Sequence, residues 1–280
     1  MRSLALANQK GGTGKTTVTV GLGAAAALAG YRVLILDLDP QGHATVALGR
    51  GEDYNADRPN LATVLTGDGP PAGLADLVIL DVWAPPVPDL DDPTHRPVGR
   101  LDLIPSSPAM FFAEADLYRA RGRELRLARL LTALAEEDAH DLCLIDCPPS
   151  LGVLTDNALA AAREVLVVAG AEPSSAHGLD LLLGQVRSLR DHLDLEVTVA
   201  GVVANRVENT LVARDTIAGL NAGPLTLLGT IPKRTRLQEA WAAGVPVQAL
   251  DPRGDVADAL ALLRVNLGLT MADAGERAGR

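Results

Sequence analysis

Short runs of leucine and β-branched residues alternate along this chain with longer stretches rich in alanine and leucine. Residues 3–8 (SLALAN) predict a first strand, a glycine-rich turn follows, and 15–29 predict a helix closed by Gly30. Residues 32–39 (RVLILDLD) form a near-continuous apolar run, the pattern of a parallel strand covered on both faces. Further strands are predicted at 100–107, 141–149, 164–170, 196–207 and 225–232, with helices near 176–193 and 255–267. Between the third and fourth strands a helical pattern over 112–137 is interrupted at Gly122. The stretch from Gly49 to Arg100 is irregular, with a short helix at 60–66 and a strand at 77–80 (LVIL). A long surface loop centres on APPVPDLDDPTHRP and is either a partner-contact region or an exposed insertion. This alternation predicts an α/β fold with a twisted, mostly parallel sheet sandwiched by helices. Residues 1–270 are read as one domain and 271–280 as a flexible tail.

Composition narrows the picture. Of 280 residues, 48% are hydrophobic but only 2% aromatic, so the core must be built from Ala, Leu, Val and Ile. The longest uncharged stretch, 16–31, is shorter than the roughly 20 residues that span a bilayer, and no full-length signal region leads the chain. A cytoplasmic protein without membrane partners is the expectation. Cys143 and Cys147 lie in one apolar run and read as core residues, since two thiols alone make no metal site. A net charge of −10 excludes a uniformly basic coat for nucleic acid but leaves room for a local basic face.

The candidate chemistry starts at residues 8–17, NQKGGTGKTT, which hold two of the chain's three lysines. Gly11, Gly12, Thr13, Gly14, Lys15, Thr16 and Thr17 sit between a predicted strand and a helix, the context of a phosphate-binding loop. Glycines let backbone N–H groups converge on phosphate oxygens, and the helix N-terminus adds a favourable dipole. Lys15 is assigned to the β- and γ-phosphates and the Thr16 hydroxyl to Mg²⁺. Asp37 and Asp39 alternate at the end of the second strand. Asp39 is assigned to orient the attacking water, and Asp37 is placed near the loop and its metal. Asp146 ends the strand LCLID and is the expected Mg²⁺ carboxylate, with Pro148 and Pro149 stiffening the turn after it. Three acids at the C-terminal ends of strands converge on one site.

The general G-x-x-x-x-G-K-[ST] pattern is not met, because position 9 is Gln; the K-G-G-x-G-K-[ST] form is met in full. That form is the signature of the deviant Walker A ATPases, and the chain resembles ParA-type partition ATPases over most of its length. ANQKGGTGKTT resembles their loop, LDLDPQGHAT their first switch, LIDCPPSLGVLTDNAL their Walker B strand and second switch, and GTIPKRTRLQEAWAAGVPV their late segment. His43 departs from the family's usual Asn. The resemblance implies ATP and Mg²⁺ as cofactors and weak intrinsic ATP hydrolysis. It implies a sandwich homodimer closed by ATP, in which Lys10 crosses to the partner's phosphates. It also implies non-specific DNA binding on the nucleoid and stimulation by a centromere-binding ParB-type protein. Asn205 is a candidate for adenine contact, or a turn-forming Asn, and the backbone at Pro232 is a second candidate.

For DNA, Lys233, Arg234 and Arg236 in IPKRTR form the favoured cluster, with Arg206 and Arg214 as substitutes for an arginine absent at 208–210. Arginines between 119 and 129 are either a second phosphate-contacting face or a solvated one. A MinD-like membrane relative would need a basic amphipathic C-terminal helix, whereas this ending reads as a core-docked helix. A nitrogenase-type reductase would need cluster-ligating cysteines, and an amidoligase a substrate domain. A relative that positions another cargo stays open.

Overall fold

The computed structural model describes residues 1–56, 59–67, 73–85, 99–172 and 175–270. In chain order β1 (Arg2–Ala7) leads through the glycine loop into α1 (Lys15–Leu28), and β2 (Arg32–Asp37) is followed by the short helices α2 (His43–Ala47), α3 (Gly51–Tyr54) and α4 (Leu61–Thr66). Strands β3 (Ile79–Trp83) and β4 (Arg100–Ile104) precede α5 (Met110–Leu117) and α6 (Arg126–Glu136). Then come β5 (Leu142–Asp146), α7 (Val153–Ala162), β6 (Glu164–Gly170), α8 (Ser175–Leu193), β7 (Thr198–Val207) and α9 (Leu211–Ala222). The last elements are β8 (Leu227–Pro232), α10 (Thr235–Ala243), α11 (Val247–Leu250) and α12 (Asp255–Asn266).

The strands form one sheet in the order β3-β4-β2-β5-β1-β6-β7-β8, parallel throughout except for the antiparallel edge pair β3–β4. One apolar layer packs α4–α8 on one face, and a second packs α1, α10, α11 and α12 on the other. The inner strands are buried on both faces, which explains their unbroken apolar runs. Small side chains let α1 lie close to the sheet: a Cβ on Gly23 would meet Ile35 and Leu101 at 3.2 Å. The predicted 77–80 strand shifts to 79–83, because 75–77 coil into a 3₁₀ turn before the edge strand begins. There the buried carboxylate of Asp102 accepts the Asp81 backbone N–H (2.8 Å) and pairs with Arg100 and His140, pinning the edge.

The predicted break at Gly122 is observed, with that glycine at φ 58° between α5 and a 3₁₀ turn into α6. Arg123 and Arg126 in this region are structural: Arg123 stacks on Tyr118 and pairs with Glu124, and Arg126 donates to the carbonyls of Leu65 and Thr66 at the end of α4. Cys143 and Cys147 lie in one core cluster, and burial pushes the Cys143 thiol up to about 12. Helix α12, predicted as core-docked, buries Val256, Ala257, Leu260 and Leu263. Among the described residues no helix is long and apolar enough to cross a membrane. The tail at 271–280 and most of the proline-rich loop, residues 86–98, lie outside the described residues.

Candidate functional site

Sheet register assembles the site. In the parallel ladders Asp146 stands beside both Leu6 and Asp37, so the ends of β1, β5 and β2 open side by side. The glycine loop leaves β1 at this point, and its backbone is turned by Gly12 at φ 75° and Gly14 at φ 83°, a left-handed region that an L side chain resists. A Cβ on Gly14 would fall 2.2 Å from the Asn205 side-chain nitrogen. The loop is held from three sides. Asn8 caps it at its base, its side chain donating to the Val168 carbonyl (2.7 Å) and accepting from the Lys10 N–H (3.0 Å). Asn205 donates to the Thr13 carbonyl (2.8 Å), and Arg206 donates to the Gly12 carbonyl (2.7 Å).

The sequence-predicted groups converge. Lys15 is buried and its ammonium donates to the Asn8 carbonyl at 3.3 Å; burial lowers its pKa, opposed by the nearby Asp146, Cys147 and Asp39. Thr16 donates to one oxygen of Asp146 (2.7 Å) and Thr19 to the other (3.0 Å). Thr19, one helical turn beyond Thr16, was not singled out from the sequence; its place on the same face as Thr16 is the signal that could have found it. Burial pushes the Asp146 carboxyl up to about 6 against the hydrogen bonds from Thr16 and Thr19 and the field of Lys15. Burial, and then Asp146, also raise Asp37. One Asp37 oxygen accepts from the Thr45 N–H and hydroxyl, and the other is buried with no hydrogen-bond partner. Two buried carboxylates side by side, one with an orphaned oxygen, next to a threonine hydroxyl and a loop of backbone N–H groups, fit a hydrated divalent cation held beside phosphates. Asp146 and Thr16 would hold it, with Asp37 behind them.

Asp39 is buried just past β2, accepts from the Gln41 N–H (2.9 Å) and lines the cleft. Asp37, by contrast, is turned inward to Thr45, so the two aspartates divide into one that faces the cleft and one that supports it. The cleft encloses about 530 Å³, the size range of small-ligand sites. Its far wall is built by residues that sequence reasoning missed or read otherwise: Leu237, Gln238 and Trp241 of α10, with His43 edge-on to Trp241 (centroids 5.7 Å apart).

Several candidates fall elsewhere. Asn205 lines the cleft, but its amide nitrogen is spent on the loop backbone, leaving its buried oxygen without a partner. Pro232 closes β8 and does not line the cleft, whereas Lys233 and Arg234 after it do. Arg206, held at φ 58°, turns into the cleft mouth. Arg214 donates to Asn209, just before the start of its own helix. Lys233 pairs with Glu208 (2.5 Å), Arg234 with Asp255 (2.5 Å) and Arg236 with Glu239 (2.5 Å), all exposed. Lys10 lies at the rim rather than in the cleft, and its ammonium pairs with Glu172.

Comparison with known proteins agrees with this geometry. A family model described as an AAA domain matches residues 1–199. The sporulation initiation inhibitor protein Soj of Bacillus subtilis is 34% identical over 253 residues, 89% of this chain and 91% of its own length. The chromosome partitioning protein ParA of Caulobacter vibrioides is 36% identical, covering 90% and 88%. A solved structure described as cobyrinic acid a,c-diamide synthase from Mycobacterium smegmatis, with bound ADP and magnesium, is 31% identical over 94% of each chain and superposes with a TM-score of 0.71. Its name gives a different activity, a reminder that one fold carries several chemistries.

Proposed function

This chain belongs to the ParA-type ATPases of the AAA-domain family, and we propose that ATP closes two copies of it into a sandwich dimer that binds DNA without sequence preference. The protein is a chromosome or plasmid partition ATPase that uses ATP and Mg²⁺. The finer cycle is our reading: a centromere-bound ParB-type partner stimulates hydrolysis, the dimer opens, and the chain leaves the DNA. Its place in the cell is then the cytoplasm, on the nucleoid.

Each side chain has a task in this reading. Lys15 and the N–H groups of Gly11 to Thr17 bind the chain's own triphosphate. Asp39 orients a water for in-line attack and holds its proton. Asp146 and Thr16 hold the magnesium ion, which supplies charge neutralisation on the phosphate oxygens. Asn205 and the segment after Pro232 border the space left for the base. Lys10 is the donor in trans: two triphosphates facing each other repel, and a cation from each protomer offsets that charge as an arginine finger does.

The division of labour between the two lysines carries the reading. Lys15 is buried in the cleft, whereas Lys10, five residues earlier, sits at its rim with 39% of its side chain exposed. The apolar face of α12 is packed on α1 and β8, which favours partition over a membrane-lying role for that helix. The test is binding to a random-sequence DNA duplex with ATP, with ADP and without nucleotide, across a salt series. Binding confined to ATP and steeply weakened by salt is expected. ATP hydrolysis with no DNA binding in any state would overturn the DNA part.

A further inference from the structure

We propose that Glu172 is a positioning residue for Lys10: it holds the lysine to its own protomer at the rim of the cleft, and this latch must open before the lysine can serve a partner. The inference rests on the reading of Lys10 as a donor in trans. Nothing in the loop motif points to Glu172, which lies far away in sequence.

Sheet register sets the pair. Strands β1 and β6 run parallel with Ala5 beside Val165 and Ala7 beside Val167, so their chains emerge together at the same edge of the cleft. Three residues past β1 stands Lys10, its N–H fixed by Asn8, which is itself tied to Val168 of β6. Two residues past β6 stands Glu172, after Ala171, whose N–H donates to the Asn205 carbonyl (3.2 Å). Both backbones are thus anchored, and the side chains meet across the gap. The Lys10 hydrogen bond, and more weakly Arg206, hold Glu172 below its ordinary carboxylate range.

A carboxylate beside an anion-binding mouth is chemically out of place unless it has a cation to neutralise. Glu172 also neutralises Lys10 in return, so the rim presents less positive charge to its own triphosphate. The pair is exposed, at 39% and 58% of the two side chains, and exposed pairs hold only weakly. That suits a latch, which must yield when a partner's phosphates offer several negative charges at once.

The experiment is sedimentation of the full chain with Mg²⁺ and a non-hydrolysed ATP analogue, comparing wild type, Lys10→Ala, Glu172→Gln, Glu172→Asp and the Lys10→Ala/Glu172→Gln double variant. Glu172→Gln is expected to tighten the dimer by about two- to thirtyfold, since each protomer releases one exposed pair. Glu172→Asp should restore the wild-type constant, and the gain from Gln should shrink as salt rises from about 50 to 500 mM. In the Lys10→Ala background the glutamate substitution should change nothing. If Lys10→Ala weakens the dimer while Glu172→Gln leaves it unchanged or weaker, or if the gain survives without Lys10, the latch is overturned and the donor in trans stands. If Lys10→Ala dimerises like wild type, both fall.

Discussion

Lys15 in the phosphate loop and the cations of the segment IPKRTR both stand near the cleft, and they are held in opposite ways. In the loop, Lys15 is buried and bonded to a backbone carbonyl, and Thr16 and Thr19 saturate one carboxylate. In IPKRTR, Lys233, Arg234 and Arg236 are exposed and each is matched by a nearby acid on the same surface. A site that binds a defined anion fixes its groups by burial and backbone bonds. A face that binds a variable polymer can leave its cations mobile and screened. Substitutions in the first region should therefore have large, specific effects, and those in the second small and salt-dependent ones.

The largest effects sharpen the first half of that contrast. Lys15→Ala should cut ATP turnover by about 10²- to 10³-fold, because a preorganised cation beside the phosphates is lost; a steady-state assay that finds wild-type turnover would remove the loop from the chemistry. Asp146→Asn should cost activity on a similar scale while making the nucleotide-free protein more stable. The folded pKa of Asp146, about 6, lies above the ordinary carboxylate value of 3.8, so between those values the folded chain retains a proton that the unfolded chain has lost. The Asp146 contribution to the stability of the nucleotide-free wild type should accordingly fall as pH rises through about 4 to 6, by roughly 2–3 kcal/mol. The Asp146 share is lost above about pH 6, and Asp146→Asn should make the slope shallower, leaving the part carried by Asp37, which burial also raises. Denaturant titrations across that window check it, and an unchanged slope in the variant would show that Asp146 does not carry it.

A glycine pair divides the molecule in the same way. Gly14→Ala must place a Cβ 2.2 Å from Asn205 at φ 83°, which should destabilise the protein by about 2–4 kcal/mol. Adding Asn205→Ala should recover only the steric part. Gly219, inside α9, has nothing within 4 Å of its would-be Cβ, so Gly219→Ala should stabilise by about 0.5–1 kcal/mol. Thermal melts of the three variants test both signs.

Much of this architecture is legible in the sequence because burial leaves a periodic trace. Every strand buried on both faces appears as an apolar run, and the loop motif announces itself because the turn needs glycine at 12 and 14. What is not legible depends on partners brought together by the sheet. Thr45 supports Asp37 from a helix too short to show a period, and α10 is read only as part of the family's late segment, although its Leu237 and Trp241 wall the cleft. Helix α7 is hidden because its sequence is read as a switch rather than for its period. Glu172 is 162 residues from Lys10, and only the pairing of β1 with β6 brings them together. The charge cluster misleads in the other direction: IPKRTR is conspicuous as a run, but two of its matching acids, Glu208 and Asp255, come from distant positions, and only Glu239 lies one helical turn away.

The smallest expected effect is the most discriminating for the DNA face. Lys233 and Arg234 line the nucleotide cleft, so changing them confounds two functions, whereas Arg236 does not line it. In the ATP state, Arg236→Ala should weaken binding to a random duplex modestly and reduce the slope of log affinity against log salt by about 1 per chain. Its acid partner should act in the opposite sense. Glu239 occupies the guanidinium of Arg236 in the DNA-free chain, so a phosphate must compete with it, and Glu239→Gln should strengthen binding. Opposite signs from the two members of one ion pair are what a phosphate-contacting arginine predicts. Equal losses would mean that the pair only shapes the start of α10, and the basic face would have to be sought elsewhere on the dimer.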